Sequence, residues 1–288
     1  MSGTAPNHYV EQWKAQALHE YQAGGFALRN TTTAPEKITG EKMHFPIFGK
    51  VEAEEDVKRG DIAKPANPND TTVEVDTKKS RAFEEVYEDD LDQMTVNRQQ
   101  AVAKRSAMAL GRVHDKTIVR ALKATTTTYV GAFTDLMTFD TMIKAKQRLM
   151  AAEVDVADGN IFFGVDSVSW SQLIGDKRIA NADYQGPDLP MTKGALAKTV
   201  HGIHLFHLSD TIIRDADSAD QATCLMWHRN AIGFGYVREL TGTVQWDNRK
   251  DCWTHNMRMR IGSKLLLPAG AVPVRAKYVA SAISLPTP

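Results

Sequence analysis

Between Leu91 and Ala124 the hydrophobic pattern predicts one long helix. Apolar residues recur at Leu91, Met94, Ala101, Val102, Met108, Ala109 and Val113, and steps of three, four and seven place them on one helical face. Arg98, Lys104, Arg105 and Lys116 occupy the other faces. The stretch has no proline, a single glycine (Gly111) and many strong helix formers. Asp89 and Asp90 precede it, where carboxylates cap free N–H groups, and Lys116, Arg120 and Lys123 crowd its end, where cations suit the helix dipole. The β-branched run Thr125–Thr128 stops it. Such a helix is about 50 Å long, more than a small domain is wide. The stripe is poor in Leu and short in heptads, so a helix lying across a sheet is expected rather than a coiled coil. Met108 stands mid-stripe, and an aspartate there is expected to destroy folding by burying a charge.

The other segments change period. Over 8–22, Val10, Trp13, Ala17 and Tyr21 share the face of a short helix, ended by Gly24-Gly25. The polar, turn-rich stretch to Gly40 makes residues 1–40 read as an arm. Residues 41–86 contain the alternating strand Thr72–Asp76, a strand candidate over 82–87, and a turn cluster from Gly60 to Asp70. They read as an exposed charged hairpin with no core of its own. Residues 131–235 read as an α/β body. It has a helix over 139–153, a buried strand over 160–165, a helix over 167–176 capped by Asp166 or Ser167, a loop over 181–194, and strands over 199–208 and 223–227. Strands over 231–246 and 253–261, joined by the polar turn Asp247–Asp251, form a long two-stranded ribbon. A last strand covers 271–276.

With 288 residues the chain can hold one large or two ordinary domains. Lys+Arg and Asp+Glu are both 35, which argues against a strongly basic nucleic-acid binder. No apolar run approaches 18 residues, so no membrane span is expected, and the N-terminus lacks the basic start and apolar core of a secretory signal. Cys224 and Cys252 are the only cysteines. They are too few for a disulfide framework and suit reduced thiols in a cytoplasmic setting.

Chemical motifs are missing: there is no GxGxxG, GxxxxGK[ST], GxSxG or HExxH pattern. One cluster is a candidate metal site: His201, His204 and His207, with Cys224 and His228 downstream. On one strand, however, His201 and His207 share a face and His204 takes the other. Separate hydrogen-bonded or exposed histidines are the simpler reading, and neither catalytic residues nor a cofactor are expected.

The order of parts carries more than any motif. An arm, a charged hairpin, a very long helix, an α/β body, a β-ribbon and a returning strand resemble the major capsid proteins of tailed bacteriophages, which have the α+β Hong Kong 97-type fold. The segment VDSVSWSQLIGDKRIANADYQG is similar to the helix-and-loop stretch of many phage coat proteins, and MRMRIGSKLLLPAGAVPVRA resembles their C-terminal ending. The resemblance implies an N-arm (1–40), an E-loop (41–86), a P-domain spine helix (87–130), an A-domain (131–235), and a P-domain ribbon (236–262) with its P-loop at 247–251. Residues 263–288 become the returning A-domain strand and tail.

It further implies self-assembly as pentamers and hexamers into an icosahedral head shell around double-stranded DNA held non-specifically on the inner face. The chain lacks a long charged N-terminal helical segment, which implies a separate scaffolding protein, or none. Portal and decoration proteins are further expected partners. The protein is expected in the virion after synthesis in the bacterial host cytoplasm. Candidate intersubunit contacts are Trp13, Tyr21, Arg59, Asp61, Lys64, Arg81, Glu84, Glu85, Asp247, Arg249 and Lys250. Two alternatives stand beside this reading: an encapsulin-type nanocompartment shell, and an oligomeric metallohydrolase using His201, His207 and His228.

Overall fold

The computed structural model describes residues 24–37, 39–55, 58–60, 62, 65–66, 68–88, 98–180, 197–213 and 221–278. The helix expected over 8–22, residues 91–97 of the long helix and the loop over 181–194 lie outside them. In chain order the elements are β1 (Glu36–Lys37), β2 (Lys42–Ile47), β3 (Thr71–Asp76), β4 (Lys78–Tyr87), α1 (Arg98–Lys123), α2 (Phe139–Ala151), β5 (Ile161–Val165), α3 (Ser167–Gly175), α4 (Lys177–Ala180), β6 (Ala197–Val200), β7 (Ile203–His207), α5 (Asp210–Ile213), β8 (Gln221–His228), β9 (Ile232–Asp247), β10 (Cys252–Leu265) and β11 (Ala271–Lys277). Among the described residues the strands form three sheets, in the orders β1-β9-β10-β4, β11-β8-β5-β7-β6 and β2-β3.

Three strands of the five-stranded sheet, β5, β8 and β11, are buried on both faces and read as largely apolar runs. Side chains alternate between two cores. Ile161, Phe163, Val165, Cys224, Met226, Val272 and Val274 meet Met142, Ala145 and Leu149 of α2. Phe162, Leu225, Trp227 and Ala271 meet Ile118, Val119 and Leu122 of α1. That second core continues without a break into Ile232, Phe234, Met259 and Ile261 of the four-stranded sheet. Helix α1, with 26 residues and a length of about 39 Å, therefore spans both sheets. It lies across a sheet, as its composition predicts.

Among the described residues its buried face shares only Val102 with the expected stripe. Met108 is only half-buried and Val113 is exposed, whereas Val102, Ser106, Leu110, His114, Asp115, Ile118, Val119 and Leu122 are buried. Three polar residues on this face hid it from a hydrophobicity count. Ser106 and Asp115 have distant partners that remove the penalty of burial, and His114 leans on Asp115 beside it. Ser106 Oγ donates to Glu84 Oε1 at 3.0 Å. The Asp115 carboxylate accepts from the backbone N–H groups of Ala27 and Leu28 at 3.1 and 3.2 Å, and His114 Nδ1 lies 3.2 Å from it. Gly111 permits this docking, because a Cβ there would stand 2.8 Å from both Gly24 O and the Phe26 ring.

The chain from Phe26 to Lys37 is accordingly part of the body, which corrects its assignment to an arm. Leu28, Thr31 and Thr32 are buried. Trp227 Nε1 donates to Thr31 O and Arg229 Nε to Thr32 O, each at 3.0 Å, and β1 pairs with β9 in parallel. A second correction concerns the ribbon. It is not two-stranded: β4 pairs with β10 over its whole length, from Lys78↔Ile261 to Tyr87↔Cys252. The strand expected over 82–87 begins at Lys78 and belongs to this sheet, not to the hairpin before it. A third concerns the strand expected over 199–208. It is a hairpin, β6–β7, turning at His201 (φ 50°) and Gly202 (φ 75°). Positive φ at both central residues suits a two-residue hairpin turn, but His-Gly is a weaker signal than Asn-Gly.

Helices α2 and α3 are where the sequence placed them, whereas the single turns α4 and α5 were not expected. Thr138 caps α2 and Asp166 caps α3 through the N–H groups of Val168 and Ser169.

Candidate assembly surfaces

The β2–β3 hairpin is packed on the body at one end, while at the other the exposed Lys50–Glu153 ion pair ties it to the end of α2. Glu41 O accepts from both the N–H and Oγ1 of Thr77, and Met43 and Val75, paired across the ladder, are buried. The Phe45 ring packs where a side chain at Gly233 would otherwise sit. The ladder closes at its far end where Gly49 N donates to Asp70 Oδ1 at 2.9 Å. Beyond that point burial stops. Phe48 is 80 % exposed, Val51 58 % and Ile62 90 %. Glu52, Glu54 and Glu55 are exposed beside them. Large apolar groups at such exposure on one projection mark an interaction surface.

The distal ribbon is the second projection. Trp246 and Trp253 face each other across the β9–β10 ladder with ring centroids 5.2 Å apart, edge to face. The turn is closed by Asp247, whose O accepts from Lys250 N and whose Oδ1 accepts from Arg249 N. On β4, Phe83 and Tyr87 are about half exposed. β4 is also an edge strand of its sheet, with backbone groups open to pairing.

The candidate contact residues divide accordingly. Arg59 is exposed near the far end of the hairpin and Arg81 is exposed on β4. Asp247 and Arg249 shape the ribbon turn. Three residues have partners inside the subunit. Glu84 points at α1, where it takes Arg105 as an ion pair as well as the Ser106 hydroxyl, so it holds helix to sheet. Lys250 Nζ donates to Glu85 Oε1 at 2.6 Å. Trp13, Tyr21, Asp61 and Lys64 lie outside the described residues. Reading from sequence passed over Phe48, Val51 and Ile62, although three large apolar residues in a polar stretch were a visible signal.

The histidines do not gather. Among the described residues no three His, Cys, Asp or Glu side chains are placed to hold a metal ion. His201 is in a turn with its ring against Phe139, His204 Nδ1 lies 2.9 Å from Thr199 Oγ1, and His207 faces Trp170. Cys224 Sγ donates to Asp166 Oδ1 at 3.2 Å. Burial first, and then the Asp166 carboxylate, push this thiol well up, so it supplies no thiolate nucleophile.

His228 Nε2 lies 2.9 Å from Asp158 Oδ2. Desolvation opposes ionisation of Asp158, but hydrogen bonds from the side chain and backbone of Asn160 and from His228 outweigh it and hold the carboxyl down at about 2. A depressed carboxyl stabilises the fold above its ordinary value of 3.8 and loses that contribution as pH falls through its folded value. Asp158→Asn is therefore expected to lower stability by about 1 kcal/mol at neutral pH. Urea unfolding from pH 6 to pH 2 should show the difference from wild type shrinking below about pH 4. A difference constant with pH would refute the assignment.

A family model described as phage capsid protein matches residues 5–277. None of the curated proteins matches the chain in sequence. Solved structures match over nearly its full length. A structure from Mycobacterium phage Che8 has a TM-score of 0.72 at 20 % identity, covering 94 % of this chain and 98 % of that one. The capsid of cyanophage Pam1 has a TM-score of 0.73 at 14 % identity, covering 97 % and 99 %. The capsid of Ralstonia phage GP4 has a TM-score of 0.71 at 13 % identity, covering 98 % and 100 %. Such low identities speak for the fold alone, which is the Hong Kong 97 type expected from the order of parts. With the family model spanning most of its length, the chain belongs to the phage capsid protein family, whose members are structural coat proteins and not enzymes.

Proposed function

We propose that this coat protein builds the icosahedral head shell of a tailed bacteriophage, as pentamers and hexamers enclosing double-stranded DNA. The observation that carries the reading is the contrast between a body whose strands β5 and β8 are buried on both faces and a hairpin that leaves Phe48 and Ile62 in solvent. Groups like these need a neighbour's surface. Heterologous contacts that close around an axis yield rings and, with two kinds of ring, shells. Many modest contacts per subunit then sum to a stable wall.

In this proposal residues 41–76 are the E-loop laid on a neighbour, α1 is the spine helix, and the distal β4–β9–β10 sheet is the P-domain. β4 then belongs with the P-domain ribbon, not with the E-loop. A formal charge of zero suits a wall that confines DNA without gripping it, since each phosphate neutralised strengthens binding. A separate scaffolding protein, a portal and decoration proteins are the proposed partners, with synthesis in the host cytoplasm before the subunit enters the virion.

The test is negative-stain microscopy and sedimentation of the purified full chain, alone and with a candidate scaffolding protein. Uniform closed shells are the expected result. Small discrete oligomers under every condition would overturn the proposal. Shells that reproducibly enclose one enzyme and no DNA during infection would favour the nanocompartment.

A further inference from the structure

The face of the four-stranded sheet turned away from α1 carries a concentration of cations that the subunit itself does not balance. In an antiparallel ladder, residues directly opposite share a face. Arg258 lies opposite both Arg81 and Thr241, and Arg260 lies opposite both Lys79 and Arg238. The bulge at Val237 is what brings Arg238 into that row, since Tyr236 pairs with Ile261 and Arg238 with Arg260. Ala82, Met257, Met259 and Ile261 point the other way, into the core beneath α1. Five cations thus stand on two adjacent rows, and like charges placed opposite destabilise a sheet.

Little in the subunit answers them. Glu41 comes within 3.8 Å of Arg260, through a side chain that is mostly exposed, and Thr77 Oγ1 accepts from Arg260 Nε at 3.0 Å. Arg258 Nε is buried and has no hydrogen-bond acceptor among the described residues. Lys79, Arg81 and Arg238 are exposed.

The matching charge is in the same chain but at the wrong end of it. Glu52, Glu54 and Glu55 form an exposed acidic run beyond the closed end of the hairpin. The hairpin leaves the sheet beside the far end of β10: a Cβ on Gly262 would stand 2.6 Å from Asp76 O, and Lys264 Nζ donates to Glu74 O. From there β3 leads away from Lys79 and Arg81, over six residues or about 20 Å. Lys50, next to the acidic run, pairs with Glu153 at the end of α2. Among the described residues no ion pair joins this run to the cationic rows of its own subunit.

We infer that the cationic rows Lys79/Arg238/Arg260 and Arg81/Arg258 receive the acidic run Glu52–Glu55 of a second copy of this chain. The inference rests on the shell reading and names a charged contact within it. Docking converts three opposed cation pairs from a liability into a complementary surface. It also makes subunits that lack the contact repel one another's wrong faces. Because these groups are exposed, the attraction is screened by salt.

The experiment uses the full chain and three variants: Lys79→Glu/Arg81→Glu, Glu52→Lys/Glu54→Lys/Glu55→Lys, and the two sets combined. Circular dichroism melts check that each subunit folds, which is expected because all five side chains are exposed. Each single-side reversal should raise the protein concentration needed for assembly by at least about tenfold. The combined variant should recover most of the loss, which mere damage to the sheet would not allow. Assembly of the wild type should weaken as sodium chloride rises from 50 mM to 500 mM.

Single-side variants that assemble like wild type at low salt would overturn the inference while leaving the shell reading intact. So would a strip reversal that abolishes retention of double-stranded DNA without affecting assembly, which would make the rows a phosphate contact. Wild type that forms no shell under any condition would overturn the shell reading itself.

Discussion

Ile118→Asp should abolish folding of the subunit, while Met108→Asp should leave it folded. Ile118 is fully buried where α1 crosses from one sheet to the other, in the core shared by Leu28, Leu122, Trp227 and Phe234. Losing the side chain costs about 3 kcal/mol, and leaving a carboxylate with no cation beside it costs several more. Together these approach the whole stability of an ordinary domain, about 5–15 kcal/mol. Met108, ten residues earlier, is only half-buried, and its replacement should cost on the order of 1 kcal/mol. The check is soluble yield, circular dichroism and urea unfolding of both variants. A soluble, cooperative Ile118→Asp protein would mean that α1 does not join the two sheets as described. An insoluble Met108→Asp protein would restore the face that hydrophobic periodicity predicts.

Removing residues 51–68 should leave a folded subunit that does not assemble. The cut spares the β2–β3 ladder, which runs from Lys42↔Asp76 to Ile47↔Thr71, and the Gly49–Asp70 closure. It removes Val51 and Ile62, which contribute almost nothing to the subunit's own core, together with the acidic run. Thermal midpoints should change by no more than a few degrees, while shells disappear from sedimentation profiles. Joining Lys50 directly to Asn69 keeps the break where the strands already close. A variant that unfolds or aggregates would show that the distal hairpin supports the body. A variant that assembles normally would remove this segment from the subunit contacts.

The two expectations depend on different kinds of information. The distal hairpin was legible from residue types, because a stretch of charges and turn residues without periodic apolar positions cannot form a core. Most strands were legible for the converse reason. A segment such as Ile161–Val165, entirely apolar and entirely buried, fits only the middle of a covered sheet. The cap of α3 was legible too, since Asp166 acts within three residues of itself; the Thr138 cap of α2 was passed over.

The failures have one cause in common. The buried face of α1 carries Ser106, His114 and Asp115, and their partners stand 22 residues away at Glu84 for Ser106 and 87–88 residues away at Ala27 and Leu28 for Asp115. Glu84 was assigned to the outside because it is an acid in a polar strand, yet it faces the helix. The segment Phe26–Lys37 was read as an arm because its own composition is polar, and Trp227, Arg229 and β9 are what hold it.

By itself, then, the sequence determined most of the elements, their order, and the projecting parts that have nothing of their own to bury. Those are local properties, set by period, capping and apolar content over a few residues. The tertiary structure alone decided which face of the long helix is inside, that β4 completes the ribbon sheet, and that five cations meet on two rows of it. Each depends on residues far apart in the chain satisfying a polar group or sharing a strand register. No local pattern records such a pairing, because its free energy exists only once the distant partner is in place.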